Sequence, residues 1–223
     1  MRLVKTLAYR GEIELKTGLS IKGMNNDLNI GGVDSEVIKN PITGMPYIPG
    51  SSLKVKMRSL LERSENRFNT YEKNGKINYF PCGCGRKECP VCVIYGAHKN
   101  TKANSAPTRI IVRDCDLTEE SMAIIRELPL ESGSFLENKA ENIINRSSGT
   151  AESPRVMERV PAGLTFNLEI ILQIFDEDNE GELKKEVEKS LQLLENNYLG
   201  GSGSRGYGQV KINNGKWEET TVK

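Results

Sequence analysis

Two stretches of the sequence alternate apolar and polar side chains, and each is followed by an amphipathic helical pattern. Leu7, Tyr9, Gly11, Ile13 and Leu15 alternate with Ala8, Arg10, Glu12, Glu14 and Lys16. Far along the chain, Leu164, Phe166, Leu168, Ile170, Leu172 and Ile174 alternate with Thr165, Asn167, Glu169, Ile171, Gln173 and Phe175. Side chains of a strand point alternately to its two faces, so each run predicts a strand with one buried face. That face needs a covering layer. Leu53, Met57, Leu60 and Leu61 share one stripe of a predicted helix that Ser51 or Ser52 can cap, and Leu183, Val187, Leu191 and Leu194 make the stripe of another.

The remaining elements complete an order. RIIVRDC, Arg109 to Cys115, is a short β-branched run, TEESMAIIREL is a helical segment that Thr118 can cap, and YGQVKI, Tyr207 to Ile212, is a last strand. Without its insertions the chain reads β-α-β-β-α-β. This predicts an α+β fold with an RRM-like, or ferredoxin-like, core: one antiparallel sheet with two helices on one face. At 223 residues and 37% apolar side chains, a single elaborated domain over residues 1–223 is expected. Three insertions decorate it, at residues 17–49, 66–108 and 116–161, and inserted connections tend to carry function.

Charge is unevenly spread. Asp176 to Glu195 holds eight acids against three lysines, so the net charge of +1 leaves the rest of the chain basic by six. Such a surface is the footprint of a polyanionic partner, although a solvated acidic helix on an ordinary enzyme has the same composition. The first twenty residues contain no uninterrupted apolar run, and no segment approaches the roughly 18 apolar residues of a membrane span. A cytoplasmic protein is expected.

Gly201, Gly203 and Gly206 in LGGSGSRGYGQV reproduce G-x-G-x-x-G. A dinucleotide loop must follow a strand and open a helix, because the helix N-terminus receives the pyrophosphate. Here the glycines follow a helix and precede a strand, and no G-K-S/T triplet is present. The five glycines at 200, 201, 203, 206 and 208 suit instead close approach of another backbone, with Arg205 offering a guanidinium fork and Tyr207 a stacking ring. A helix cap and turn accounts for two of them.

CGCGRKECPVC sets Cys82, Cys84, Cys89 and Cys92 in a C-x-C-x4-C-x2-C cluster, the ligand set of a structural zinc site, with a disulfide pair as the poorer alternative. Cys115 is left over as a core residue. His98 is the only histidine, six residues past Cys92, and either replaces one sulfur or stays outside the ligand set. Histidine-pair and Ser-His-Asp chemistry are therefore excluded away from the cluster, leaving carboxylates, lysines or a divalent ion.

Lys54 and Arg58, four apart at the start of the first helix, make either a phosphate platform or a solvated basic face. Lys139, Arg146, Arg155 and Arg159 lie on KAENIINRSSGTAESPRVMER, a polar arm or hairpin. Asp34, after two glycines in the loop before that helix, is either a turn former or a carboxylate that holds Mg2+ against an RNA phosphate or aligns a 2′-hydroxyl.

PYIPGSSLKVKMRSLLE, CGCGRKECPVCVIYGA, ENIINRSSGTAESPRVMERVPAG and LGGSGSRGYGQV, in this order over nearly the whole chain, resemble the backbone RNA-binding subunit of type III-A CRISPR effector complexes, the Csm type of the RAMP superfamily. The resemblance implies an RRM-like core with a zinc-containing insertion and a protruding β-hairpin thumb. It implies copies stacked head to tail along a guide RNA within a larger complex, with each thumb flipping a base pair of the guide–target duplex. It also implies a loop aspartate that cleaves the target RNA at regular intervals with Mg2+ or another divalent cation. Asp34 matches that aspartate. Lys54, Arg58, Gly203, Arg205 and Tyr207 match guide contacts, and Asn142, Arg146, Arg155 and Arg159 match the thumb and its base. Val55 stands where the family often has Gly, Ser202 where it has His, and the all-cysteine cluster differs from members with a histidine ligand. The leading expectation is an endoribonuclease active within the assembled complex. The alternatives are a non-catalytic RNA-binding scaffold of the same complex and a guide-processing endonuclease of the same superfamily, which usually calls on histidine.

Overall fold

The computed structural model describes residues 1–23, 35–100, 102–105, 107–127 and 134–220. The chain is a mixed α and β fold built from β1 (Leu3–Leu15), α1 (Gly50–Ser64), β2 (Phe68–Lys73), β3 (Lys76–Pro81), α2 (Pro90–Tyr95), β4 (Ile110–Val112), α3 (Glu119–Glu127), β5 (Glu137–Ile144), β6 (Ala151–Arg159), β7 (Thr165–Phe175), α4 (Glu180–Glu195) and β8 (Val210–Thr220). One sheet has the order β4-β7-β1-β8, and every neighbouring pair is antiparallel. Leu7 stands opposite Leu172 and Ile13 opposite Phe166, so the two alternating runs place their apolar sets on the same face. That face is buried with the stripes of α1 (Leu53, Met57, Leu61) and α4 (Leu183, Val187, Leu191, Leu194) in one cluster. Burial of this continuous apolar face is what holds the two helices to the sheet.

Some local features depart from expectation. Neither Ser51 nor Ser52 caps α1: the cap is Pro49, and the free N–H of Gly50 donates to Asp114 Oδ1 at 2.7 Å. A carboxylate far away in sequence replaces the local hydroxyl. Thr118, in contrast, caps α3 as expected, accepting from Ser121 N at 3.2 Å. The last strand runs on to Thr220 instead of ending at Ile212. The turn-like Asn213-Asn214-Gly215 is absorbed as an irregularity opposite Arg10 and Glu12, with Asn214 at φ 54°, which an edge strand tolerates. Two hairpins stand off the sheet: β5-β6, within the predicted polar arm, and β2-β3, which the hydrophobic pattern does not signal.

Candidate metal centre and nucleic-acid interface

Cys82 and Cys84 lie on the chain leaving β3, Cys89 immediately precedes α2, and Cys92 is in its first turn. Their four Sγ atoms all lie within 4.8 Å of one another, and three of the separations are 3.8 Å (Cys82–Cys89), 3.7 Å (Cys84–Cys92) and 3.6 Å (Cys82–Cys92). A tetrahedral ion with metal–sulfur bonds of about 2.3 Å requires sulfurs about 3.8 Å apart, so the donor set fits a metal without rearrangement. Burial pushes the Cys89 thiol up to about 11 and also raises that of Cys92. Gathering thiolates here is therefore costly without a cation to offset the desolvation. No disulfide joins them. His98 contributes its backbone N–H to the Cys82 carbonyl at 3.1 Å, and the sulfur group closes without its ring.

Lys54 and Arg58 both make contacts within the chain. Arg58 Nε donates to Glu62 Oε1 at 2.8 Å and its other arm reaches the Cys82 carbonyl at 2.7 Å, while Glu62, itself buried, accepts from Cys82 N at 2.9 Å. Arg58 thus ties α1 to the cysteine cluster. Lys54 turns toward the edge strand, within 3.4 Å of the Ile110 carbonyl, and burial, then the Arg58 guanidinium, lowers the pKa of its ammonium. The open side of α1 is about half a turn round. Ser51, Ser52, Val55, Lys56, Ser59 and Gly200 line an open groove of about 480 Å³ between the helix and the glycine loop. Lys56 Nζ sits there, 3.4 Å from the centroid of the Tyr198 ring.

The glycine loop owes most of its composition to the protein itself. A side chain at Gly203 would run into the Tyr198 ring, at Gly200 into the Ser20 carbonyl and at Gly208 into the Leu199 carbonyl; Gly206 has a φ of 86°. Close approach is real here, but between parts of one chain. Tyr207 does not offer a stacking ring: it is 1% exposed, with Lys139 Nζ 4.6 Å and the Arg159 guanidinium 4.9 Å from its centroid. Arg159 is held further by Glu137 at 2.8 Å. What the loop and the β5-β6 hairpin do create is a cleft of about 300 Å³ lined by Lys139, Glu141, Asn142, Ser153, Arg155 and Arg205. The Glu141 carboxylate, 3.1 Å from Arg205, orients that guanidinium across the cleft. Ile143, which also lines the cleft, and Ile144 end β5 and are more than half exposed, and Arg146 lies beyond them, exposed in the turn between β5 and β6.

Asp34 lies outside the described residues. The chain after it is firmly anchored: Ser35 pairs with Met157, its carbonyl accepts from Glu158 N at 3.0 Å, and the buried Glu158 carboxylate accepts from Val37 N at 2.8 Å and from Lys39 Nζ at 3.2 Å. Glu62, Asp114, Lys56 and Glu158 were all missed in the sequence. Lys56 could have been found by extending the helix-face count from Ser52 to Ser59, and Glu62 by its four-residue spacing from Arg58, whereas Asp114 and Glu158 act across long sequence separations that no local pattern carries.

Comparison with known proteins bears on this geometry. Residues 25–211 match the RAMP superfamily. The chain is 40% identical to "CRISPR system Cms endoribonuclease Csm3" of Methanothermobacter thermautotrophicus, over 100% of this chain and 90% of that protein. It is 44% identical to the protein of the same name from Methanocaldococcus jannaschii, over 91% of this chain and 76% of that one. Among solved structures, a chain of the Csm3–Csm4 subcomplex of the type III-A CRISPR-Cas interference complex superposes with a TM-score of 0.61 at 32% identity, covering 97% of this chain and 80% of its own.

Proposed function

The chain belongs to the RAMP superfamily, and on that premise we propose that it is the backbone subunit of a type III-A CRISPR effector complex and an endoribonuclease that cuts RNA complementary to a bound guide. The observation that carries the reading is the convergence of Lys139, Asn142, Arg155 and Arg205 in one cleft at the hairpin, while an α1 groove that holds Lys56 reaches the same glycine loop at Gly200. Lysines, arginines and an asparagine set for phosphates bind a polynucleotide without reading its bases, which a guide of arbitrary sequence requires. Arg58, Arg159 and Tyr207 serve this surface indirectly, by fixing α1, β6 and the glycine loop; Lys54 supports α1 against β4, and Gly203 leaves room for the Tyr198 ring on which Lys56 rests. The strand order and the paired helices support an RRM-like core. Residues 17–49, 66–108 and 116–161 are its insertions, the second closed by Zn2+ on Cys82, Cys84, Cys89 and Cys92.

The β5-β6 hairpin acts as the thumb, with Ile143 and Ile144 as the apolar edge that enters the guide–target stack and Arg146 held to the backbone beyond it. Asp34 is the catalytic residue. A divalent cation such as Mg2+, when bound, would stabilise charge on the phosphate under attack. The chain's own part is to hold the carboxylate in place, and the tethering of Ser35 and Val37 to Glu158 at the hairpin base does so from one side. Copies stack along the guide beside other subunits. Reconstituting the complex with guide and complementary RNA tests this: Asp34→Ala should leave guide binding unchanged and abolish cutting at regular intervals. Undiminished cutting by that variant would make the subunit a scaffold.

A further inference from the structure

The β2-β3 hairpin, which follows the C-terminal end of α1 and leads into the cysteine cluster, lines neither the α1 groove nor the cleft. We propose that this hairpin is a second RNA-contacting surface, one that takes an unpaired strand. The proposal rests on the reading of this chain as an RNA-binding subunit, but not on its groove or its cleft. Cross-strand pairing puts Asn69 with Phe80, Tyr71 with Asn78 and Lys73 with Lys76, so all six share one face. On it Tyr71 and Phe80 are stacked, with centroids 4.9 Å apart and planes at 27°, and Tyr71 is 47% exposed. Lys73 and Lys76 face each other across the Asn74-Gly75 turn, both exposed and neither with an ion pair among the described residues. Like charges opposite one another weaken a hairpin, and a bound anion reverses that cost. Two ammonium groups beyond an exposed ring are the pairing that holds a single strand, phosphate to cation and base to π-face.

Charge over the whole insertion points the same way. Residues 66–108 carry seven basic residues against Glu72 and Glu88, so this one insertion accounts for most of the net positive charge outside residues 176–195. The α1 groove runs along the helix from Ser51 to Ser59, and its lysine, Lys56, lies eight residues before the helix end at Ser64, about 12 Å at 1.5 Å per residue, so one phosphate cannot touch both Lys56 and the hairpin lysines.

Single-stranded RNA binding by the full chain at several salt concentrations, and assembly of the complex, test this. Lys73→Gln with Lys76→Gln should reduce the slope of log K against log salt by about 1.4, two phosphates at about 0.7 each. Tyr71→Ala should weaken binding about tenfold. Ile77→Ser with Tyr79→Ser, on the other face, should change neither. Lys56→Gln reports on the groove separately: loss of RNA binding there, with the lysine pair silent, overturns the hairpin proposal and leaves the groove reading intact. Normal slopes with failed assembly in any hairpin variant make it a protein contact and equally overturn it.

Discussion

Arg58 is half a turn from Lys56 on α1, and the two do opposite work. The Arg58 side chain is 16% exposed and that of Glu62 is 4% exposed, and the pair bridges the helix to the Cys82 backbone. Removing one partner of a buried pair strands the other, which costs about 3 kcal/mol. Arg58→Ala should therefore lower Tm by about 6 to 12 °C for a chain of this size while leaving RNA affinity intact below the transition. Lys56→Gln should do the reverse, with Tm lower by only about 2 to 4 °C for the lost contact with Tyr198 and the salt slope of RNA binding smaller by about 0.7. Parallel thermal melts and salt titrations check both. A spacing of four residues does mark one helix face, as the sequence suggested for Lys54 and Arg58, but it does not say whether that face meets solvent or the neighbouring insertion.

Among elements, β1 and β7 were legible because each has one wet and one buried face, and the hairpin β2-β3 was not because both of its faces are exposed. With no core to face, Phe68, Tyr71, Ile77, Tyr79 and Phe80 follow no period of two. The readable signal was Asn74-Gly75, whose φ values of 55° and 70° make the tight turn that joins two strands. The cysteine cluster was legible for the opposite reason: ligand spacing is a constraint written in consecutive residues. Its energetic role follows from its place, since α2 is only six residues long and could not hold the insertion by itself. Stripping the metal with a chelator should release residues 66–108 to protease while the β4-β7-β1-β8 sheet keeps its circular dichroism, and returning Zn2+ should restore protection. Cys89→Ser should behave as the stripped protein does, with or without added Zn2+.

For the molecule as a whole, affinity for RNA must come from repetition. The acids of α4 are partly spent inside the fold, where Glu188 accepts from Trp217 Nε1 at 2.7 Å and Glu195 from Ile212 N at 2.8 Å, so they stay on the α4-β8 side and leave the groove and cleft to the cations. Few of those cations are free on one protomer: Arg58 and Arg159 are committed within the chain, and Arg205 is shared with Glu141. With each phosphate contact on a single strand contributing about 0.7 to the salt slope, one protomer holding three or four phosphates has a slope of only about 2 to 3 and loses its hold near physiological salt. Stacked protomers add their contacts on one continuous strand. Binding should consequently steepen in proportion to RNA length, each additional protomer's footprint increasing the slope by the same increment, with no dependence on base sequence. Titrating RNAs of increasing length against salt measures that increment directly, and a slope that stays constant with length would mean that the strand runs across one copy instead of along many.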